Sequence, residues 1–319
     1  MYAGIDIGGT NIKYGVVHAG GEMIYQHTHP TDATRGKDAM IADIAGVIKS
    51  LQEQFPKLLS VGVGFPSVVN PHDGCVYYPP NLPGWEVVPL VQLLQEASSV
   101  PVAIDNDANV AALAESEAGA GMNASHFLYV TLGTGVGGGI IINKRIYTGE
   151  RGGAGEIGHI IVDMYDEPTP AMKASGRSYR AGTMEERLGR PGLLASTLQL
   201  VNEYPQSSLH RYGAELDVED ISREVEQGDE CACEVFRRAG HLLGLGIASI
   251  LAVLDMRIVV VGGGISKSHP LFLETTRETI RQRALPTIAG KAEIRMAHFS
   301  SNAGIVGAAM LGKHKLELL

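Results

Sequence analysis

The sequence predicts an α/β protein with two related halves, each a β-sheet covered by helices, and a cleft between them. The strand–turn–strand pattern GIDIGGTNIKYGVV of residues 4–17 returns as LYVTLGTGVGGGIII at residues 128–142, and a repeated unit of this kind indicates duplication. Apolar helices and strands then alternate from residue 190 to residue 312, which is typical of the α/β class. The chain has 40 glycines in 319 residues without a collagen-like period, so we expect them at turns and close backbone approaches.

The first half opens with a meander of three antiparallel strands, because apolar runs are interrupted by Gly-Gly pairs. A helix follows where apolar residues recur at a spacing of three and four. A buried strand, a long Pro- and Gly-rich excursion and a helix–strand–helix sequence come next. The predicted strands lie at 2–7, 12–19, 23–29, 59–65 and 101–107, the helices at 37–54, 87–97 and 108–118, and the excursion at 66–85.

The second half begins with a strand and its hairpin partner and continues as alternating helices and strands. The strands are expected at 126–135, 137–142, 257–264 and 292–299, and the helices at 191–204, 217–226, 231–254, 270–282 and from 303. The halves are thus predicted to be duplicated βββαβα-type units. We place a smaller lobe at residues 1–117, with the helix of residues 303–319 packing back on it, and a larger lobe at residues 118–302.

Composition and charge exclude several classes of protein. Lysine and arginine number 26 and aspartate and glutamate 35, for a net charge of −9 without a basic run, so we expect no nucleic-acid surface. The three cysteines, Cys75, Cys231 and Cys233, are too few for a disulfide framework and indicate a cytoplasmic protein. The apolar run between His241 and Asp255 is shorter than the ~20 residues of a membrane span. No membrane segment and no targeting signal are expected.

The first glycine turn joins two strands and has the features of an anion-binding loop. Glycines let backbone N–H groups approach a phosphate, a threonine hydroxyl adds a donor, and a lysine neutralises phosphate charge. A carboxylate at the end of the first strand is suited to hold Mg²⁺ through water. The residues concerned are Asp6, Gly8, Gly9, Thr10, Asn11 and Lys13. The alternative is a plain hairpin turn, for which Gly-Gly is common.

Two further glycine clusters lie at strand ends. Five glycines among residues 133–139 carry a backbone entropy cost that a simple turn does not require, which indicates a phosphate clamp facing the first turn. The other cluster ends a strand just before a helix, where the base or ribose of a nucleotide can lie against bare backbone. The candidate residues are Gly133, Thr134 and Gly135 in the clamp and Gly262, Gly263 and Gly264 in the other cluster.

Residues 105–109, with the sequence DNDAN, lie where a strand gives way to a helix. We expect only one of the two aspartates, Asp105 and Asp107, to face a given site. Asp107 is the candidate general base, and Asn106 beside it is a candidate amide for binding a hydroxyl. The alternative is a helix N-cap, a position that Asp and Asn favour.

Glu156 and His159, in the motif AGEIGH, are three residues apart, so in a helical turn both side chains face one side. A carboxylate and an imidazole side by side are suited to two neighbouring hydroxyls of a sugar. Such a pair also occurs often as a satisfied pair in a core or on a surface. Its weight therefore comes from the motifs around it.

Five motifs occur in the order GIDIGGTNIK, PNLPGW, DNDAN, LGTGVGGGI and AGEIGH. With them, the chain from residue 2 to about residue 312 resembles the ROK family of bacterial sugar kinases, repressors and related proteins. The resemblance implies the two-lobed actin-like, ribonuclease-H-like ATPase fold, and it implies Asp107 as the general base. The positions that it implies for sugar binding are Asn81, Asn106, Asp107, Glu156, His159 and Glu185.

One departure from the family pattern concerns zinc. Members commonly carry C-x-C-G-x-x-G-C-L-E, with the histidine of AGEIGH as fourth ligand. Aligning the end of this motif on residues 182–185 puts Gly176, Ser178 and Thr183 at the cysteine positions, and none of them offers a thiolate. We therefore predict no zinc site, while the sugar-facing Glu185 is retained.

The expected reaction is phosphorylation of a hexose hydroxyl with ATP and Mg²⁺, glucose to glucose 6-phosphate first, in a homodimer. N-acetylmannosamine kinase, N-acetylglucosamine kinase, fructokinase and polyphosphate-dependent glucokinase stay open as alternatives, although the lack of a long basic tract favours ATP over polyphosphate. A transcriptional regulator is disfavoured because such relatives carry a helix-turn-helix domain before the first glycine motif, which here begins at Asp6. A non-catalytic sugar-binding protein is disfavoured by the retained Asp107.

Overall fold

Three β-sheets and their covering helices form the fold. The computed structural model describes residues 1–30, 33–79, 82 and 84–318. The strands are β1 Tyr2–Ile7, β2 Asn11–Val17, β3 Met23–Pro30, β4 Ser60–Phe65, β5 Val68–Asn70, β6 Cys75–Tyr77, β7 Val87–Val88, β8 Val102–Asn106, β9 His126–Leu132, β10 Val136–Ile142, β11 Arg145–Ile146, β12 Ile258–Gly262 and β13 Glu293–Met296. The α-helices are α1 Lys37–Gln54, α2 Leu90–Glu96, α3 Asp107–Ala118, α4 Pro170–Ala174, α5 Met184–Leu188, α6 Arg190–Leu200, α7 Val218–Glu226, α8 Glu230–Leu254, α9 Pro270–Arg283, α10 Pro286–Ala289 and α11 Ala303–Leu316.

The chain divides into two units by the density of its internal contacts. The first unit comprises Met1–Tyr129, Gly139–Gly155 and Ala297–Leu319, and the second comprises Val130–Gly138 and Glu156–Met296. The predicted division into lobes at residues 117 and 118 stays a prediction.

The sheet of the first unit has the strand order β3-β2-β1-β4-β8. β1, β2 and β3 pair antiparallel, as the predicted meander requires, and β1, β4 and β8 pair in parallel. The apolar face of α1, at Met40, Ile44, Ile48 and Leu51, is buried in the same hydrophobic cluster as the apolar residues of β1 and β4. A helix with apolar residues at this spacing buries one face against a sheet, as the sequence predicted.

Helix α11 packs against β1, β4 and α3 at backbone distance. A Cβ on Gly62 of β4 would overlap the carbonyl oxygen of Ala308 in α11. A Cβ on Gly307 of α11 would overlap the carbonyl oxygen of Val110 in α3. Non-bonded carbon atoms normally stay ~3.5–4 Å from their neighbours, so only glycine fits at these two points. The C-terminal helix is therefore part of the core of the first unit.

The segment that leads into α11 is held by a buried carboxylate. Glu115 of α3 has no exposed surface and accepts hydrogen bonds from three backbone N–H groups, those of Ala120 (2.7 Å), His298 (3.1 Å) and Phe299 (2.8 Å). A buried charge is tolerated when donors surround it. This carboxylate joins α3 to the chain that returns 183 residues later.

The second sheet has the order β11-β10-β9-β12-β13, and the second unit is built around α8. This helix is the one in the described residues that is long and apolar enough to cross a membrane by length and composition. Half of its most apolar 18-residue stretch is nevertheless buried, and the helix packs against α9, α5, α6 and α7. α8 is thus a core helix, as the sequence predicted.

The excursion at residues 66–85 was predicted to be irregular, and this prediction is wrong in part. The strands β5 and β6 lie within it and pair with β7 in an antiparallel three-stranded sheet. These strands have only two or three residues, which is too short for an alternating pattern to emerge. The longer predicted strands and helices are confirmed to within a few residues.

We predict that Gly307→Ala lowers the free energy of unfolding by about 3 kcal/mol or more, because its methyl group must displace the backbone of α3. Urea unfolding followed by circular dichroism measures this. The matched control is Gly46→Ala in α1, where an added Cβ meets no atom within 4 Å and should stabilise the helix by about 0.5–1 kcal/mol. Equal stabilities for the two variants would contradict the backbone packing of α11.

Candidate active site

The carboxyl ends of three parallel strands bring two predicted site residues of the first unit together. Asp6 of β1 is level with Gly64 of β4, and Gly64 is level with Asp105 of β8. A Cβ on Gly64 would lie 3.8 Å from Oδ1 of Asp6 and 3.7 Å from Cα of Asp107. The candidate magnesium ligand and the candidate base therefore lie on either side of a residue without a side chain.

Asp6 lies beneath the first turn of α11. A Cβ on Gly304 would overlap its carboxylate, and Lys13 is its cross-strand partner on β2. Burial raises the pKa of Asp6, and the positive charge of Lys13 opposes this rise. The net rise shows that Lys13 only partly offsets the cost of burying the ionised form. A cation beside this carboxyl would stabilise the ionised form further.

The first glycine turn is a tight hairpin between β1 and β2. The N–H of Gly8 donates to the carbonyl oxygen of Asn11 (2.9 Å), and Nδ2 of Asn11 donates to the hydroxyl of Thr10 (3.1 Å). Gly9 and Thr10 are exposed, and a Cβ on Gly9 would meet nothing within 4 Å. The turn is open to a ligand, and its contact with phosphate stays a prediction.

Asn106 and Asp107 form the junction of β8 and α3. Asn106 is the N-cap of α3, since its Oδ1 accepts from the N–H groups of Ala108 (2.9 Å) and Asn109 (3.3 Å). Its Nδ2 donates to the carbonyl oxygen of Ser67 (3.2 Å). The alternative of an N-cap is thus correct for Asn106, and its predicted contact with a sugar hydroxyl stays a prediction.

The two aspartates of this junction point to different environments, as predicted. Asp105 is buried and Asp107 is exposed, because the strand ends at Asn106 and the helix turns the following side chain outward. Oδ1 of Asp107 accepts from the N–H of Ala108 (2.8 Å) at the N-terminus of α3, where the helix dipole stabilises negative charge. Asp107 is therefore an accessible carboxylate, as a general base must be.

Asp105 is a buried carboxyl that the sequence did not single out. Its Oδ1 accepts from Nδ2 of Asn109 (2.8 Å) and from the N–H of Asn106 (2.7 Å). Burial raises its pKa to about 6, although these two hydrogen bonds act in the opposite direction. Asp105 thus fixes the backbone and the amide beside the candidate base.

In the second unit, two of the predicted glycine clusters line one cavity. The cavity has a volume of about 510 Å³, and Gly133, Thr134 and Gly264 are among its lining residues. Its charged lining residues are the cations Arg190, Arg223 and Lys267 and the anions Glu219 and Glu226. Ligand pockets commonly measure ~300–1,000 Å³. A cavity of this volume is large enough for a nucleotide.

Gly263 explains why its cluster needs glycine. Its φ is +87°, in the left-handed region that other residues avoid. A Cβ there would also overlap the backbone of Leu132 at the end of β9. Gly263 thus allows β12 to approach β9, while Gly264 beside it faces the cavity and Gly262 ends the strand.

Glu156, His159 and Glu185 form a polar cluster in the second unit. Residues 157–159 form a 3₁₀ turn that places Nε2 of His159 4.0 Å from Oε2 of Glu156, with both side chains 43% exposed. The predicted juxtaposition of this pair is confirmed. Burial raises the pKa of Glu156, and the negative charge of Glu185 raises it further, while His159 opposes the rise.

Glu185 also contacts the second glycine turn. Its Oε2 accepts from the N–H of Val136 (3.1 Å) at the start of β10. A Cβ on Gly135 would overlap the same carboxylate oxygen, so the turn accommodates Glu185 only because residue 135 is glycine. The predicted sugar cluster and the predicted phosphate clamp are therefore in direct contact.

The segment between His159 and α5 contains ion pairs that sequence reasoning missed. Arg180 contacts Glu185 and Glu186, and Arg187 contacts Asp163 and Asp166. The high density of opposite charges in this segment was a usable signal, but the sequence does not show which charges pair.

Zinc does not fit the donors of this segment. Gly176 and Ser178 lie in a turn and a 3₁₀ helix, and Thr183 is the N-cap of α5. In the residues that the structure describes, no three His, Cys, Asp or Glu side chains gather as a metal site. Asn81, the remaining predicted sugar ligand, lies outside the described residues.

Residues 2–315 of the chain match the ROK family. The chain belongs to the ROK family. A glucokinase of Halalkalibacterium halodurans is 33% identical to it over 98% of this chain and 95% of its own length. An N-acetylmannosamine kinase of Shigella boydii is 31% identical over 97% of each chain.

A solved structure of the ROK family supports the fold. A glucokinase from Streptomyces griseus, in complex with glucose and AMPPNP, superposes with a TM-score of 0.79 at 28% identity, over 98% of this chain and 99% of its own. The predicted α/β class and the actin-like ATPase fold are confirmed by this likeness.

We predict that Asp105→Asn changes how the stability of this ROK-family protein depends on pH. The folded pKa of Asp105 is about 6 against an ordinary value of 3.8, so the folded state binds the proton more tightly. The wild type should therefore lose stability as pH rises from about 4 to about 6, by roughly 3 kcal/mol at 1.36 kcal/mol per unit. Asparagine keeps the acceptor oxygen and avoids this loss.

The measurement is the urea midpoint of both proteins between pH 4 and pH 8. The advantage of the variant should grow up to about pH 6 and then stay constant. Asp38→Asn, at an exposed position in α1, is the matched control and should show no such trend. A difference between variant and wild type that is flat with pH would contradict the assignment.

Proposed function

We propose that this protein is a sugar kinase that transfers the γ-phosphoryl group of ATP to a hydroxyl of a hexose, with glucose as the first expected acceptor. The observation that carries the proposal is the hydrogen bond from the N–H of Val136 to Glu185. It joins hydroxyl-binding side chains to a glycine turn that lines a nucleotide-sized cavity. Phosphoryl transfer requires the acceptor hydroxyl and the phosphate chain to be neighbours.

Asp107 acts as the general base in this mechanism. Its exposed carboxylate accepts the proton of the attacking hydroxyl while the hydroxyl oxygen forms a bond to the γ-phosphorus. The bond between that phosphorus and the β–γ bridging oxygen breaks, and ADP leaves. The N–H of Ala108 donates to Oδ1 of Asp107, which holds this carboxylate at the N-terminus of α3 for its proposed role.

Glu156, His159 and Glu185 bind other hydroxyls of the sugar. Two carboxylates accept from sugar O–H groups, and the imidazole donates or accepts according to its tautomer. Three polar groups within one cluster define which hydroxyls a substrate must present, and this positions the reacting hydroxyl. Asn81 and Asn106 are the further proposed ligands.

On the ATP side, the proposed ligands of the phosphate groups are backbone N–H groups and a magnesium ion beside Asp6. The N–H groups of Gly8 and Gly133 donate within their own turns. The proposed N–H donors for phosphate oxygens are therefore those of Thr134 and Gly135 and those of Gly9 and Thr10. Asp6 fits a magnesium ion that is held mainly by the nucleotide, because its carboxyl is short of positive charge and Mg²⁺ needs few protein ligands. Magnesium would neutralise charge on the phosphate oxygens.

Two other assignments within the family are open to the same experiment. The likeness to an N-acetylmannosamine kinase supports an N-acetylhexosamine as the alternative acceptor. The two glucokinase relatives support glucose. Fructokinase stays an open alternative, and polyphosphate stays the less favoured donor. The cytoplasmic location and the homodimer stay predictions from the sequence.

The deciding experiment is a coupled assay of ADP release with a panel of hexoses and N-acetylhexosamines. Sugar-dependent release that is fastest with glucose supports the proposal. Fastest release with N-acetylmannosamine replaces the substrate and retains the reaction. Absence of release with any sugar, in protein shown to bind one by calorimetry, would favour a non-catalytic sugar-binding role.

We predict that Asp107→Asn lowers kcat by roughly 10²–10⁴, the usual contribution of a general base, and changes the sugar KM much less. Steady-state kinetics on the best sugar measure both constants. Asp38→Asn is the matched control, since Asp38 is also an exposed aspartate in the first turn of a helix, and it should keep wild-type turnover. An Asp107→Asn enzyme with more than half of wild-type kcat would remove Asp107 from the mechanism.

We predict that Glu156→Gln and His159→Ala each raise the sugar KM by about one to two orders of magnitude. Each loses hydrogen bonds worth ~1–3 kcal/mol, while the KM of ATP should change little. Thermal unfolding on the same preparations distinguishes a binding role from a structural one, because His159 also packs against the ring of Tyr179 at 5.9 Å. A destabilised His159→Ala enzyme with an unaltered sugar KM would refute the binding role.

A further inference from the structure

A set of ion pairs closes the segment from Ile160 to α5 in the second unit. Nη2 of Arg187 lies 2.9 Å from Oδ2 of Asp163 and 2.8 Å from Oδ1 of Asp166. The other oxygen of Asp166 accepts from the N–H of Gly182 (2.8 Å). The beginning and the end of the segment are thereby tied to each other.

A second arginine connects this segment to the polar cluster. Nη2 of Arg180 lies 2.9 Å from Oε1 of Glu185, and its Nε lies 3.0 Å from Oε2 of Glu186. The carbonyl oxygen of Arg180 accepts from the hydroxyl of Thr183 (2.8 Å), which also caps α5. The guanidinium is thus fixed on two edges, and it is planar, so its orientation constrains Glu185 as a flexible ammonium would not.

Glu185 is therefore held from two opposite partners. Oε1 contacts Arg180 and Oε2 accepts from the N–H of Val136. With both oxygens engaged, the carboxylate has one orientation, and its remaining lone pairs are available for a sugar hydroxyl. Without Arg180, only the N–H of Val136 would remain of the two contacts that orient the Glu185 carboxylate.

We propose that Arg180 is a positioning residue that sets the Glu185 carboxylate for the sugar, in a segment whose cysteine positions hold Gly176, Ser178 and Thr183 and do not fit zinc. The proposal rests on the proposed sugar-binding role of Glu185. Charged side chains of the segment itself order Glu185, with no metal ion involved. When one of its two contacts is lost, the carboxylate can adopt further orientations, and only some of them allow it to bind the sugar hydroxyl. Misplacement of a binding group commonly weakens substrate binding ~10-fold or more.

The first test measures the restraint without reference to activity. Arg180→Gln should speed hydrogen exchange at the amide of Val136 by about 10-fold, since Glu185 then accepts from it less persistently. Arg187→Gln is the matched control, because it removes ion pairs of the same segment that do not include Glu185, and it should leave this amide unchanged. Equal exchange in wild type and Arg180→Gln would overturn the proposal.

The second test is a double-mutant cycle on the sugar KM. Arg180→Gln should raise the KM about 10-fold in the wild-type background and have no further effect when Glu185 is already Gln. Arg180→Lys, which keeps the charge, should give an intermediate KM and guards against a variant that fails to fold. Arg187→Gln should lower the melting temperature with a KM within about 2-fold of wild type. Additive effects of Arg180→Gln and Glu185→Gln would overturn the proposal.

Removal of metal ions by chelation is the third test, and it asks whether a metal ion orders the segment. Dialysis against EDTA, followed by excess Mg²⁺, should leave both the sugar KM and the rate of hydrogen exchange at Val136 unchanged. If a metal ion held the segment, this treatment would raise the KM and speed the exchange. A wild-type protein that phosphorylates no sugar would remove the proposed function, and the exchange at Val136 would still decide whether Arg180 positions Glu185.

Discussion

The packing of α11 at backbone distance is the constraint on which the first unit depends. Gly62 and Gly307 let this helix contact the backbone of β4 and of α3, and neither contact leaves room for a methyl group. A helix fixed against two elements in this way cannot slide without opening contacts in a close-packed interior. Its first turn lies over Asp6 through Gly304, and its contact in α3 is three residues from Asp107. Helix α11 therefore packs against the candidate magnesium ligand, Asp6, and against the helix that begins with the candidate base, Asp107.

The same close packing buries three carboxyl groups of the first unit, and they differ in the partners that they have there. Glu115 is fully buried and accepts hydrogen bonds from three backbone N–H groups, so its polar atoms have partners. Asp105 has two donors, and burial still raises its pKa to about 6. Asp6 has a cation opposite, and its pKa is raised as well. The two carboxyls whose charge is poorly compensated lie level with each other at the strand ends, where such groups are typical of functional sites. Glu115 instead joins α3 to a distant part of the chain.

The sequence predicted what local patterns determine. The helix of residues 37–54 and the strand that contains Gly62 have periodicities that one segment carries by itself, and the Glu156–His159 pair follows from a spacing of three. The contacts missed by the sequence join partners without a pattern. Glu115 bonds the backbone 183 residues away, and backbone donors have no sequence signature. The pairing of Arg180 with Glu185 depends on how a turn-rich segment folds, and its sequence offers several equivalent charges. The strands β5, β6 and β7 are held by tertiary pairing, since two or three residues are too few for propensity to decide.

In the second unit, the proposed sugar ligand Glu185 has a partner on each of its two carboxylate oxygens. A metal ion orders a segment from a few donors, but it competes for the lone pairs of any carboxylate near it. The guanidinium of arginine is planar and offers directed N–H donors, and in the proposed arrangement Arg180 orders Glu185 through such a donor. The cost is that ion pairs of partly exposed groups are individually weak, and the segment therefore uses several of them together with a backbone bridge between Ile161 and Thr183. Because the other oxygen of Glu185 lies on the N–H of Val136, the orientation of one side chain is shared by the sugar cluster and the glycine turn. Under the proposed function, a substitution in the segment that turns this carboxylate would affect both the proposed sugar ligands and the turn that we propose binds phosphate.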